Sequence, residues 1–137
     1  LYVNRLINLY KYPKQLIQFE IGINFGIEVK RADIVVYDRN RPDAPYIIVE
    51  LKKPKLKEGK EQLKSYCNAT GAPIGIWSNG DGEQFYHRQD PNYFSELSDL
   101  PFGHENLDDF LKLRNQYTIL DLTKRKIVNA NCSRIGG

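Results

Sequence analysis

The chain has no methionine, one tryptophan and only two cysteines, and no apolar run comes near the roughly 18 to 20 residues that crossing a bilayer requires. Each scarcity removes a class of function. Without a long apolar run or a charged-then-apolar leader, neither a membrane span nor a secretory signal is expected. Cys67 and Cys132 stand far apart and outside any CxxC or Cys/His spacing, which argues against a zinc site and a disulfide framework and favours a reducing cytosol. Neither GxxxxGK[ST] nor GxGxxG occurs, so no phosphate-cradling loop for a nucleotide is expected. The lack of Met with Leu1 at the start, and the uncapped Arg134-Ile135-Gly136-Gly137 at the end, read as a piece of a longer protein.

What remains is 137 residues, 41% hydrophobic, enough for one domain with a single sizeable core. The expected division is a domain over residues 1–115 and a segment over 116–137 leading to a missing downstream domain. The net charge of +3 conceals an uneven distribution. Leu51 to Lys64 carries six lysines against Glu58 and Glu61, Asp81 to Leu111 carries eight acids against Arg88, and Lys112 to Gly137 is basic again. The two basic segments read either as solvated faces or as a strip for nucleic-acid phosphates, where cationic side chains release counterions.

Val3, Leu6, Ile7 and Tyr10 recur at i, i+3, i+4 and i+7, predicting a short amphipathic helix. Pro13 suits the first turn of a second helix, with Leu16, Ile17 and Glu20 on one face and an end before Gly22. Arg31 to Tyr37 and Tyr46 to Lys52 are β-branched runs separated by the turn-rich Asp38 to Pro45, an antiparallel hairpin. A helix over Gly59 to Thr70 ends near Gly71, and Ala72 to Ser78 is a buried strand. Asn79-Gly80-Asp81-Gly82 turns it into a strand over Glu83 to Arg88. Asp90 to Gly103 reads as a long surface loop, Asn106 or a near neighbour caps a helix from Leu107 to about Asn115, and Tyr117 to Leu122 with the basic tail reads as a short strand and then the start of a linker. The sum is an α/β domain with a central mixed sheet flanked by helices.

The chemistry concentrates in the first hairpin. A loop centred between Arg41 and Pro42 sets Asp33 opposite Glu50, and period-two alternation puts Lys52 on the face of Glu50. Two carboxylates and an ammonium among Ile34, Val35, Val36, Ile47, Ile48 and Val49 are costly unless a cation compensates them. Phosphodiester hydrolysis uses this set: hard oxygen ligands for Mg²⁺ from Asp33, Glu50 and the Leu51 carbonyl, and Lys52 to orient or deprotonate the attacking water. Glu20 on the preceding helix is a further acidic group. Taken singly, Asp33 beside Arg31 reads as a surface ion pair and Glu-x-Lys as an exposed strand end; their convergence points to a site. Gln62 and Tyr66, at i and i+4 on the next helix, share a side, although Tyr66 reads equally as core with its hydroxyl at the rim. His87 and His104 have no partner at ligand or triad spacing, and Trp77 and most tyrosines belong to the core.

The ordered trio Arg31-Ala32-Asp33-Ile34-Val35-Val36-Tyr37, Ile48-Val49-Glu50-Leu51-Lys52-Lys53-Pro54 and Gln62-Leu63-Lys64-Ser65-Tyr66 resembles the N-terminal nuclease domain of type I restriction enzyme R subunits and related restriction-modification proteins, from Tyr12 to Arg88. The resemblance implies a restriction-endonuclease-like PD-(D/E)xK fold, with Ala32 where that motif has proline. It implies catalytic roles for Asp33, Glu50 and Lys52, and DNA contact and cleavage by Gln62 and Tyr66. It further implies a Mg²⁺-dependent endonuclease, with Mn²⁺ as a substitute, acting on double-stranded DNA beside a translocase or methyltransferase. A non-catalytic DNA-binding or assembly module on the same fold is the competing reading.

Overall fold

The computed structural model describes residues 2–90 and 93–113. The chain divides into two compact units, Leu1–Gly103 and His104–Gly137. Tyr117 to Leu122 and the expected segment 116–137 lie outside the described residues.

The first unit opens with a helical segment, α1 (Tyr2–Asn4), which widens into a π-helical turn over Arg5–Leu9. Leu6 is fully buried, as the apolar stripe predicts. Side-chain bonds tie this segment down: Arg5 Nη1 donates to Glu83 at 2.7 Å, Tyr10 Oη to Asp99 at 2.7 Å, and Tyr12 Oη to the Pro101 carbonyl at 2.7 Å.

The expected second helix is corrected by the structure. Only a single 3-10 turn, Lys14–Leu16, follows Pro13, and the chain then enters strand β1 (Ile17–Phe25). The helical spacing of Leu16, Ile17 and Glu20 competes with a stronger pattern, the alternation of Ile17, Phe19, Ile21, Ile23 and Phe25. That alternation pairs with β2 (Glu28–Tyr37), from Ile17 opposite Val36 to Phe25 opposite Glu28.

β2 continues into β3 (Pro45–Leu51) as the expected antiparallel hairpin, with Ile34, Val35 and Val36 opposite Val49, Ile48 and Ile47. β3 is parallel to β4 (Ile74–Ser78), and a parallel neighbour requires a crossover. Helix α2 (Lys60–Thr70) supplies it, ending at Gly71 with φ +79° as the sequence indicates. β5 (Glu83–Asp90) returns through the Asn79 to Gly82 turn. The expected loop over Asp90 to Gly103 is also corrected: Tyr93–Leu97 forms β6, antiparallel to β5. Its Pro-, Ser- and Asp-rich surroundings hide a five-residue strand held by backbone pairing and by buried Leu97.

The result is a mixed six-stranded sheet in the order β1-β2-β3-β4-β5-β6, with helices beside it. Leu63, Tyr66 and Cys67 of α2 join Val35, Ile48, Ala72, Trp77 and Tyr86 in one apolar cluster. Gly75 permits this close docking, since a Cβ there would lie 3.0 Å from Cys67 Sγ and 3.2 Å from Leu63 Cγ. In the second unit, residues 107–113 are helical and Asn106 Oδ1 accepts the Asp108 N–H at 2.8 Å, the expected cap.

Candidate active site

The register of the β2–β3 hairpin carries forward from Ile34 opposite Val49 to Asp33 opposite Glu50, the juxtaposition read from the loop centre. Regular pairing ends there, and the Asp33 carboxylate takes over: Oδ2 accepts the Leu51 N–H at 2.7 Å. A residue's N–H and carbonyl project to the same side of a strand, so the Leu51 carbonyl faces the edge where Asp33 stands.

Glu50 is 4% exposed, whereas Asp33 is half-buried. Burial first, then a hydrogen bond with Asp33 and the charge of Asp33, push the Glu50 carboxyl up to about 8. Lys52 pulls it down and Glu20 adds to the rise. Near neutral pH the Glu50 carboxyl therefore holds a proton that a cation would replace. The donor set is all oxygen and in part anionic, which fits a hard divalent ion.

Glu20 lies on a strand, which corrects its expected position on a helix. Phe19 pairs with Ile34 and Ile21 with Ala32, so Glu20 falls opposite Asp33. Its φ of +54° is left-handed, an uncommon conformation for a residue with a Cβ. There is a geometric counterpart to this strain. Ala32 and Val35, three residues apart, face the same apolar cluster, which strict alternation forbids. The hairpin thus changes face at Glu20 and Asp33, and Ile21, Ile23 and Phe25 turn toward α2. Arg31, expected beside Asp33, donates to the Glu20 carbonyl at 3.3 Å. Among the described residues, no three His, Cys, Asp or Glu side chains form a metal-holding group, so the fold assembles a carboxylate pair with Glu20 as its electrostatic neighbour.

Tyr66 packs as a core residue. Its ring is buried against Phe25, with centroids 5.8 Å apart, while its hydroxyl reaches toward the Arg31 carbonyl at 3.5 Å. Burial raises its pKa, and the charges of Glu50 and Asp33 raise it further. Gln62, one turn earlier, is half-buried.

Lys52 is the first residue past β3, its N–H bonded to the Ser78 carbonyl at 2.8 Å. The lysine-rich loop that follows is pinned from β4 and the turn beyond it. Trp77 Nε1 donates to the Glu58 carbonyl at 2.8 Å, Asn79 Nδ2 to the Leu56 carbonyl at 2.7 Å, and the Lys55 N–H to Asp81 at 3.1 Å. Trp77 is core, as expected, but its N–H is also a loop anchor, a role no sequence pattern announces. Of the six lysines, Lys60 lies over the Trp77 ring at 4.5 Å and Lys64 over Tyr86 at 5.0 Å, while Lys53, Lys55 and Lys57 are exposed. His87 sits in β5 opposite Ile74, and His104 belongs to the second unit.

Residues 1–101 match the family model described as type I restriction enzyme R protein N terminus. Among solved structures, the chain is similar to a fragment of an HsdR subunit of a type I restriction enzyme from Vibrio vulnificus YJ016, at 21% identity and a TM-score of 0.55. That match covers 75% of this chain and 22% of the other, so the chain spans under a quarter of that relative. At this identity the likeness establishes the fold. No curated protein matches. Among the described residues, no helix is long and apolar enough to cross a membrane.

Proposed function

The chain belongs to the family of type I restriction enzyme R protein N-termini, and on that premise we propose that it carries the Mg²⁺-dependent endonuclease site of a restriction-modification enzyme, of the PD-(D/E)xK class. The observation that carries the reading is the buried Glu50 opposite Asp33, with Lys52 two residues on along the same strand direction.

In this reading Asp33, Glu50 and the Leu51 carbonyl hold Mg²⁺, or Mn²⁺ in its place. An ion held there would supply Lewis-acid polarisation of the scissile phosphoryl group. Glu50 would have to release its proton to solvent to serve as a ligand, because a protonated carboxyl is a poor one. The Lys52 ammonium orients the attacking water and offsets the charge that builds on the phosphate oxygens. Glu20, as a neighbouring negative charge, raises the demand for a cation. The Tyr66 hydroxyl, fixed by its buried ring, and Gln62 contact the DNA at the edge of the carboxylate pair. Exposed Lys53, Lys55 and Lys57 bind phosphates without regard to sequence.

Double-stranded DNA is the substrate, and translocase and methyltransferase domains or subunits of a cytoplasmic restriction complex are the partners. The test is cleavage of plasmid DNA by the intact enzyme with Mg²⁺. Asp33→Ala, Glu50→Ala and Lys52→Ala should each reduce it by at least about a hundredfold while the fold survives. Retained cleavage in any of the three removes that residue from the mechanism. The exposed Lys53, Lys55 and Lys57 also suit, as a second reading, a DNA-binding module without catalysis. Salt-sensitive DNA binding indifferent to Mg²⁺ and to Lys52 would select it.

A further inference from the structure

What holds the Lys52 side chain is a bare stretch of backbone. Gly59, immediately before α2, has φ +100°. A Cβ there would lie 3.4 Å from Lys52 Nζ, 3.6 Å from Cδ, and closer to Cε than any real contact allows. The Lys52 stem therefore passes directly over the Gly59 Cα. Gly26, Gly71 and Gly80 share a positive φ but would place a Cβ in open space, so among the left-handed glycines this crowding belongs to Gly59.

The seat is also fixed from beneath. Trp77, which pairs with Glu50 across the parallel strands, holds the Glu58 carbonyl through Nε1, and Lys60 rests on the Trp77 ring. The residues on both sides of Gly59 are thus tied to one indole on the strand next to Glu50. A polar, lysine-rich connection that would otherwise sample many conformations is held in the one that leaves room for the Lys52 stem.

We propose that Gly59 is the positioning residue for Lys52: its left-handed, side-chain-free backbone, anchored by the Trp77 indole, is the seat that holds the Lys52 side chain to one course beyond the strand end that carries Glu50. The chemical consequence rests on the role assigned to Lys52 above, whereas the placement of the side chain can be tested without it.

The test measures acylation of individual lysines by an N-hydroxysuccinimide ester, mapped by mass spectrometry on the whole 137-residue chain. Gly59→Ala is compared with Gly59→D-Ala, made by ligation at the native Tyr66–Cys67 junction. The D residue keeps the positive φ and puts its methyl on the other side of Cα. Lys52 should label several-fold faster in Gly59→Ala and at the native rate in Gly59→D-Ala. Lys30, which lies over the Phe25 ring, should be unchanged in both and so reports general loosening. With Mg²⁺ and DNA, Gly59→Ala in the intact enzyme should lower kcat several-fold with KM unchanged, the signature of impaired orientation. Unchanged Lys52 labelling in Gly59→Ala, or an equal rise in both variants, overturns the proposal. So does native kcat in Gly59→Ala where Lys52→Ala abolishes cleavage. If Lys52→Ala itself cleaves normally, the nuclease reading fails separately, and the labelling ratio still decides whether Gly59 seats the side chain.

Discussion

Glu50 turns burial into chemistry. Its carboxyl binds a proton far more tightly folded, at about 8, than the 4.5 of a free glutamate. Native protein thus retains a proton that unfolded protein has released, so stability falls as pH rises from near 4.5 to about 8 and is flat above. The decrease should be on the order of a few kcal/mol, and Glu50→Gln should abolish the slope. Urea unfolding from pH 5 to 9 checks this: an equal slope in Glu50→Gln would mean that another group carries it. The opposition of Asp33 and Glu50 is legible in the sequence because a symmetric loop fixes hairpin register. Capture of the Leu51 N–H by Asp33, the left-handed Glu20 and the seat at Gly59 are not legible. Each depends on where two strands stop pairing or where a side chain crosses a backbone, and neither leaves a periodic trace.

The elements divide by how local their signals are. The β2–β3 hairpin, α2, β4 and β5 carry patterns contained within a few residues of their turns and caps, and all four stand where the sequence puts them. β1 escapes such a reading because Pro13 and the spacing of Leu16, Ile17 and Glu20 imitate a helix start, while the alternation that makes it a strand is satisfied only by β2 and, past Glu20, by α2. β6 depends on pairing with β5 and gives little local signal. α2 itself is held by packing. Leu63→Ala should cost about 2 to 5 kcal/mol, because the helix docks tightly enough to exclude a Cβ at Gly75. Tyr66→Phe leaves the ring in place and removes only a long hydrogen bond, so it should cost at most about 1 kcal/mol in the same unfolding assay. A much larger cost would mean that the hydroxyl supports the fold rather than the rim of the site.

For the whole molecule, the sheet brings residues from three successive stretches of chain together: Glu20, Asp33 and the Glu50 to Lys52 strand end. The mixed sheet is legible from element order, since a helix between β3 and β4 supplies the crossover that a parallel pair needs. The basic stretch 51–64 is two things at once. Lys60 and Lys64 are engaged with aromatic rings, and Lys53, Lys55 and Lys57 are displayed on a pinned loop. Replacing these three with Gln should weaken DNA binding and flatten its dependence on salt, by up to about 0.9 in the log–log slope for each phosphate that is no longer neutralised. An unchanged slope would place the DNA elsewhere.

Whether Asp33 and Glu50 form a divalent-ion site decides everything built on them, and titration calorimetry with Mg²⁺ or Mn²⁺ tests it most directly. Binding by the native chain should tighten from pH 6 to 9 as Glu50 releases its proton, and should disappear in both Asp33→Ala and Glu50→Ala. No binding by the native chain with or without DNA, or binding of native strength in the two variants, would contradict the carboxylate pair as the metal site.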